Sequence, residues 1–172
     1  TLVSVADYVL SKTPGNTVSN LSSTRALADV TNYHNGNYFA SAVGEVNVVE
    51  QMKEKNAVIG GEGNGGIIYP ALHYGRDALV GIALFLTNLA EKEISCKSLR
   101  ETYPNYFISK NKIDLDLSVD ISKILSTLES KFMSNNINTI DGLKIDFDDG
   151  WVHLRRSNTE PIIRIYSESV TL

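Results

Sequence analysis

The segment Gly60-Gly61-Glu62-Gly63-Asn64-Gly65-Gly66 carries the densest chemical signal in the chain. Glycines remove the side chains that keep a ligand away from the backbone. Glu62 and Asn64 are then the only long polar groups in the run. A carboxylate beside an amide accepts and donates hydrogen bonds together, which suits the hydroxyls of a sugar. The same run contains G-x-G-x-x-G at Gly61, Gly63 and Gly66, the spacing of a dinucleotide-binding turn. That use needs a helix directly after the loop, because the helix N-terminus holds the pyrophosphate. Ile67-Ile68-Tyr69-Pro70 follows instead and reads as extended. On the residues alone, a binding loop and a ligand-free loop of unusual backbone angles both stand.

The second signal is Arg155-Arg156-Ser157-Asn158-Thr159-Glu160-Pro161, between two strand-like segments, with Arg164 on the second. Arginine, two hydroxyls, an amide and free backbone N–H groups in a tight loop make an anion nest. The planar guanidinium fork suits a phosphate held at two oxygens. An exposed turn, with Arg155 or Arg164 paired to Glu160 or Glu168, fits the same residues. His34, His73 and His153 show no ligand spacing. Asp146, Asp148 and Asp149 with Gly150 hint at a calcium loop, but its twelfth position, which requires an acid, is Ser157. A hairpin turn explains them better. In Gly75-Arg76-Asp77, Asp77 reads as a helix cap.

These segments need a scaffold. Leu2, Val5, Ala6 and Val9 have helical spacing, and Pro14-Gly15 ends that helix. Residues 17–21 read as a strand. Ser22-Ser23-Thr24 can cap a helix with Ala26, Leu27, Val30 and Tyr33 on one face. A strand over 38–43, a helix with Val46, Val49 and Met52 in line, a strand over 57–59 and an extended segment over 67–69 follow. Asp77 then caps a helix over 78–90 that is apolar almost all round, so it is expected to be buried. Alternating strands and helices predict an α/β layered domain with a mixed, largely parallel sheet. The pattern changes near residue 95. A short helical linker over 99–103, a strand over 106–115, an amphipathic helix marked by Ile121, Ile124, Leu125, Leu128 and Phe132, and three strands over 143–147, 151–155 and 162–166 predict a small α+β domain with an antiparallel sheet. The expected domains are 1–95 and 96–172.

Bulk properties narrow the function classes. The chain has 172 residues, 42% of them hydrophobic and 21% charged, so it can bury a core without staples. A net charge of −4 argues against nucleic acid as the main partner. The single cysteine, Cys96, rules out an internal disulfide framework. The longest nearly apolar run, 78–86, falls short of the ~20 residues that span a bilayer, so no membrane partner is expected. Thr1-Leu2-Val3-Ser4 reads as a cut made partway into a helix, and a cytoplasmic fragment of a larger protein is expected.

The two loops together resemble one family. Gly61-Glu62-Gly63-Asn64-Gly65-Gly66 is similar to the sugar-binding loop of the α-D-phosphohexomutases, and Arg155-Arg156-Ser157-Asn158-Thr159-Glu160-Pro161 is similar to their phosphate-binding loop. Val43-Gly44-Glu45-Val46-Asn47-Val48-Val49-Glu50 resembles the family segment before the sugar loop. The resemblance implies a C-terminal fragment covering most of the third of four domains and the fourth. It implies that Glu62 and Asn64 hold sugar hydroxyls, that Gly44 and Glu45 form a turn near the ligand, and that Arg155, Ser157, Asn158 and Thr159 hold the phosphate that is not reacting. The parent would interconvert hexose 1-phosphate and hexose 6-phosphate through a bisphosphate, using a phosphoserine and Mg2+ held by a D-G-D-x-D-R loop. Neither the serine motif nor the metal loop occurs in this sequence. The expectation is therefore a substrate-positioning part that is inactive alone, with hexose phosphate and the missing N-terminal domains as partners. The first sheet is expected to lack a strand and to self-associate through the exposed edge. A stand-alone sugar-phosphate or anion-binding module is the alternative. Two positions depart from the family pattern: Gly66 replaces its usual histidine, and Arg156 its common proline.

Overall fold

The computed structural model describes residues 1–114, 120–157 and 160–171. It contains two compact units, Thr1–Asn105 and Tyr106–Leu172. In the first unit the elements are α1 (Leu2–Lys12), β1 (Asn16–Asn20), α2 (Ala26–Tyr33), β2 (Tyr38–Ser41), α3 (Glu45–Glu54), β3 (Ala57–Gly61), β4 (Ile67–Ile68), α4 (Ala78–Lys92) and α5 (Cys96–Glu101). The sheet order is β2-β1-β3-β4. β1 is parallel to β2 and β3, and β3 is antiparallel to β4. Side chains that alternate across these strands feed two cores. On one face, Leu2, Val5, Ala6 and Val9 of α1 and Leu27 of α2 meet Ile59 and Ile67, flanked by Val80, Leu84 and Phe85 of α4. On the other face, Val48 and Met52 of α3 meet Val18, Ala57 and Ile68.

The expected α/β layering holds, but three expected faces shift. Tyr33 is 81% exposed, and Thr31 takes the inward place on α2. The Thr31 hydroxyl lies 2.6 Å from both Thr17 Oγ1 and the Leu27 carbonyl. On α3 the buried pair is Val48 and Met52, one turn apart, while Val46 is exposed. Helix α4 is not buried all round. Only Gly81 and Asn88 are fully inside, and Leu79, Ile82 and Leu86 are exposed. The helix packs along one stripe against α1 and β4, so apolar composition overstated its burial. Asp77 caps it as expected, accepting from Val80 N at 3.0 Å.

The division between units falls after Asn105, later than the composition change near residue 95. Leu99 of α5 is buried, and Tyr103 donates its hydroxyl to Asp7 at 2.8 Å. Both tie this segment to the first unit. The second unit holds β5 (Phe107–Asp114), α6 (Ile121–Lys131), β6 (Asn136–Asn138), β7 (Leu143–Asp146), β8 (Gly150–Arg156) and β9 (Ile162–Ser169). Its sheet is antiparallel throughout, in the order β5-β9-β8-β7-β6. The short strand β6 was not expected. It pairs Asn136–Asn138 with β7.

Asp7 is the polar knot of the first unit. Its carboxylate accepts from His34 Nε2 at 2.8 Å, Tyr103 Oη at 2.8 Å and Lys92 Nζ at 3.0 Å. Burial pushes its pKa up, but the bonds from His34, Tyr103 and Lys92 win and hold it below the usual carboxylate range. Burial, and then the bond to Asp7, pushes the Tyr103 phenol up to about 12. A carboxyl with a depressed folded pKa stabilises the fold above its unfolded value and loses that contribution as pH falls through the folded one. Asp7→Asn is expected to lower urea-unfolding stability by about 1–3 kcal/mol at pH 7, with the deficit closing toward pH 3. Equal stability at pH 7 would contradict this role.

Candidate functional site

Strands β1, β2 and β3 are parallel, so their carboxyl ends lie along one edge of the sheet, where open α/β sheets hold ligands. The segments leaving those ends meet at Glu62, which is 5% exposed. Glu62 Oε1 accepts from Asn20 Nδ2 at 2.8 Å and from Gly44 N at 3.3 Å. Asn20 Oδ1 accepts from Ser22 N at 3.1 Å and Ser23 Oγ at 2.9 Å. Ser23 Oγ in turn accepts from Gly63 N at 3.0 Å. A buried carboxylate is tolerated only with such partners. Glu62 also lines a cavity of about 280 Å³ together with Ser23, Thr24, Gly63 and Asn64.

The glycine loop is closed on itself. Glu62 N donates to Gly66 O at 3.0 Å, Gly65 N to Glu62 O at 3.1 Å, and Gly66 N to Asn64 Oδ1 at 3.1 Å. Gly61 has φ +155°, and a Cβ there would run into the Gly66 carbonyl, so this crossing requires glycine. Because these amides are engaged and β4 follows, the loop is not a pyrophosphate cradle. Asn64 spends its oxygen inward and keeps its amide donors for the outside. Glu45 carries no spare oxygen: Oε1 accepts from Arg76 N at 3.0 Å and Oε2 from Arg76 Nε at 2.7 Å. The bond from the Arg76 amide is the largest influence on the Glu45 carboxyl; with help from the guanidinium it overcomes the opposing effect of burial and holds the carboxyl below its usual range. Sequence reasoning missed Asn20, Ser23 and Arg76. Asn20 carried no motif, Ser23 read as a helix cap, and in Gly75-Arg76-Asp77 a functional reading gave way to the Asp77 cap.

In the second unit, Arg155 stands on β8, 2.7 Å by Nε from Asp141 Oδ2. The angle makes this an ion pair rather than a hydrogen bond, since Nε has no bonded partner. Arg155 pairs across the sheet with Arg164, which pairs with Lys112. Three cations thus share one cross-strand row, an arrangement that is destabilising unless opposed by negative charge. Asp141 opposes the charge of Arg155, and Glu160 opposes that of Arg164 at 3.3 Å. Strand alternation puts Arg156 on the opposite face, so the extra cation does not join this row. Ser157 is buried, and its N–H donates to Ile162 O at 3.0 Å. Asn158 and Thr159 lie outside the described residues.

Asp141 is itself anchored. His153 Nε2 lies 2.7 Å from the Asp141 carbonyl. A carbonyl only accepts, so Nε2 carries the hydrogen. Burial pushes the His153 pKa down, favouring the neutral ring. The folded unit therefore resists protonation, and stability present above about pH 6.5 is lost as pH falls through the folded value. Trp151, the single tryptophan, is 1% exposed on the same strand and reports unfolding of this unit. Urea titrations followed by its fluorescence are expected to lose stability below about pH 6.5. His153→Gln keeps a donor without the titration and should flatten that slope. The same slope in both proteins would contradict the assignment.

Known proteins resemble the chain along nearly its whole length. The family model for phosphoglucomutase/phosphomannomutase, alpha/beta/alpha domain III matches residues 1–106, and that for the phosphoglucomutase/phosphomannomutase C-terminal domain matches residues 111–171. The chain belongs to this family. The phosphoglucomutase/phosphomannomutase of Thermococcus kodakarensis is 36% identical over 172 residues, covering 98% of this chain and 37% of the relative. The phosphoglucosamine/phosphogalactosamine mutase of Sulfurisphaera tokodaii is 36% identical over 129 residues, covering 74% of this chain and 28% of the relative. The crystal structure of a phosphoglucomutase/phosphomannomutase family protein from Burkholderia thailandensis superposes with a TM-score of 0.82 at 27% identity, over 99% of this chain and 37% of that one. The Aspergillus fumigatus N-acetylphosphoglucosamine mutase, solved with GlcNAc-6P and magnesium, shares the fold at a TM-score of 0.65 and 13% identity, over 98% of this chain and 40% of that one. The chain spans about a third of the length of the curated relatives it matches most fully. No helix among the described residues is long and apolar enough to cross a membrane.

Proposed function

We infer that this chain is the substrate-positioning part of a cytoplasmic phosphohexomutase, which interconverts hexose 1-phosphate and hexose 6-phosphate through a bisphosphate. The observation that carries the reading is the Glu62 cluster: a buried carboxylate with one oxygen fixed by Asn20 and Gly44, on a loop beside a cavity. In this reading Glu62 accepts from a sugar hydroxyl, and Asn64 donates to one. The turn at Gly44 and Glu45 borders the ligand. Arg155, Ser157, Asn158 and Thr159 hold the phosphate that is not reacting, drawn by the cationic row Lys112, Arg164 and Arg155. The relatives are named for glucose, mannose, glucosamine and galactosamine phosphates, and the shared chemistry is a hexose phosphate.

The family reaction also calls on magnesium. Among the described residues no group of three or more His, Cys, Asp or Glu side chains could hold a metal ion. The described residues do not fit that role. Phosphoryl transfer needs a carrier nucleophile, which positioning groups cannot replace. The reading extends to contact with further domains of the parent enzyme. It also extends to self-association through the outer strand β2 of the first sheet, which pairs within that sheet with β1 alone.

Two measurements test the reading. The chain alone, given glucose 1-phosphate, magnesium and a bisphosphate activator, is expected to show no turnover, and turnover surviving removal of host enzymes would contradict it. Phosphate titration followed by amide NMR is expected to move Ser157, Asn158 and Thr159 with a roughly millimolar Kd. Charge-assisted bonds from Arg155 are worth about 1.5–3 kcal/mol, so Arg155→Ala should weaken binding at least tenfold. Silent amides, or binding unchanged in Arg155→Ala, would remove the phosphate assignment.

A further inference from the structure

Arg76 is fixed at one end and open at the other. Its backbone bridges Ile68 of β4, and the following amide, Asp77 N, donates to Ile67 O at 2.8 Å. Its own amide and Nε are both taken by the Glu45 carboxylate, at 3.0 and 2.7 Å. The terminal nitrogens Nη1 and Nη2 make no hydrogen bond among the described residues, and the side chain is 50% exposed. The stem runs across Gly66. A Cβ on Gly66 would lie 2.9 Å from Arg76 Cδ and 3.2 Å from Cγ, so a side chain at position 66 would displace the arginine stem from this place.

The groups at this end of the loop are donors. The Gly66 amide is spent on Asn64 Oδ1, whose side chain keeps only N–H groups to offer. Both Glu45 oxygens are spent on Arg76. What remains toward the outside is the far edge of a guanidinium whose near edge is clamped. A clamped fork loses less freedom when it binds, and it matches two oxygens of a phosphate better than it matches a hydroxyl.

We propose that Arg76 is an anion-recognising residue of the Gly61–Gly66 loop, its terminal nitrogens holding phosphate-ester oxygens of the bound hexose phosphate, with Glu45 as the residue that positions it. The inference rests on the reading of this loop as a sugar-phosphate site. It assigns a second cation to that reading, in the first unit and separate from Arg155. It also gives Glu45 a role through Arg76 rather than through the sugar.

The test is NMR of the labelled chain, following the Arg76 Nε–H, the Gly65 and Gly66 amides and the Ser157 amide. Glucose 1-phosphate is expected to shift the Arg76 and glycine signals, while neutral glucose leaves Arg76 Nε in place. Arg76→Ala should weaken the loop response about tenfold, the effect of losing one charge-assisted pair. Arg76→Lys keeps the charge and the loop but loses the fork, and should weaken it as well. Glu45→Gln should shift Arg76 Nε before any ligand is added and weaken the response. A shifted Ser157 with Arg76 unmoved at saturating glucose 1-phosphate overturns this inference and leaves the functional reading standing. Silence at both places overturns both. Equal shifts of Arg76 with glucose and with glucose 1-phosphate overturn the anion assignment.

Discussion

A carboxylate taken out of water must be met by donors, and the first unit is organised around that demand. Glu62 is almost wholly enclosed, and one of its oxygens is claimed by Asn20 from the end of β1 and by Gly44 from the turn after β2. Hydrogen bonds to a charged group are worth about 1.5–3 kcal/mol each, and an unmet buried charge costs several. The bonds therefore bind three chain segments into one platform, each leaving a neighbouring parallel strand. Parallel pairing makes this possible, because it brings the carboxyl ends of β1, β2 and β3 to the same edge. The glycine loop then needs no amide from a ligand to hold its shape.

The second unit solves a related problem on an antiparallel sheet. Cations meet there side by side in register, and nearby carboxylates offset them: Asp141 for Arg155 and Glu160 for Arg164. Asp141 is anchored through its carbonyl by His153, a ring kept neutral by burial. The two units share one device. Glu45 in the first and Asp141 in the second each take the Nε side of an arginine. An arginine held this way offers its terminal nitrogens at a smaller loss of freedom than a lysine could.

Much of the scaffold was legible because its signals are local. Leu2, Val5, Ala6 and Val9 mark α1 by spacing alone, and all four are buried. The Asp149-Gly150 signal falls at the turn between β7 and β8. Asp77 marked a helix start through its own side chain. What stayed hidden depends on distant partners. Tyr33 and Val46 looked inward by helical phase, yet the packing against the sheet selected Thr31 and Val48 instead. Helix α4 looked buried because composition cannot tell one contact stripe from two. Asn20 carries no motif and Ser23 reads only as a helix cap, and their importance comes from loop residues 42 and 40 positions further along the chain, which local spacing does not encode. The two loops were visible as residue types, but the inward turn of Glu62 and the clamping of Arg76 by Glu45 were not.

The claim that Glu62, Asn20 and Ser23 hold the loop is tested most directly by hydrogen exchange at single amides in Asn20→Ala. Loss of the asparagine removes a donor to Glu62 and the acceptor that orients Ser23. The account predicts that the amides of Gly44 and Gly63 lose protection by tenfold or more, while those of β8 and β9 exchange as before. Unchanged protection at Gly44 and Gly63 would contradict it.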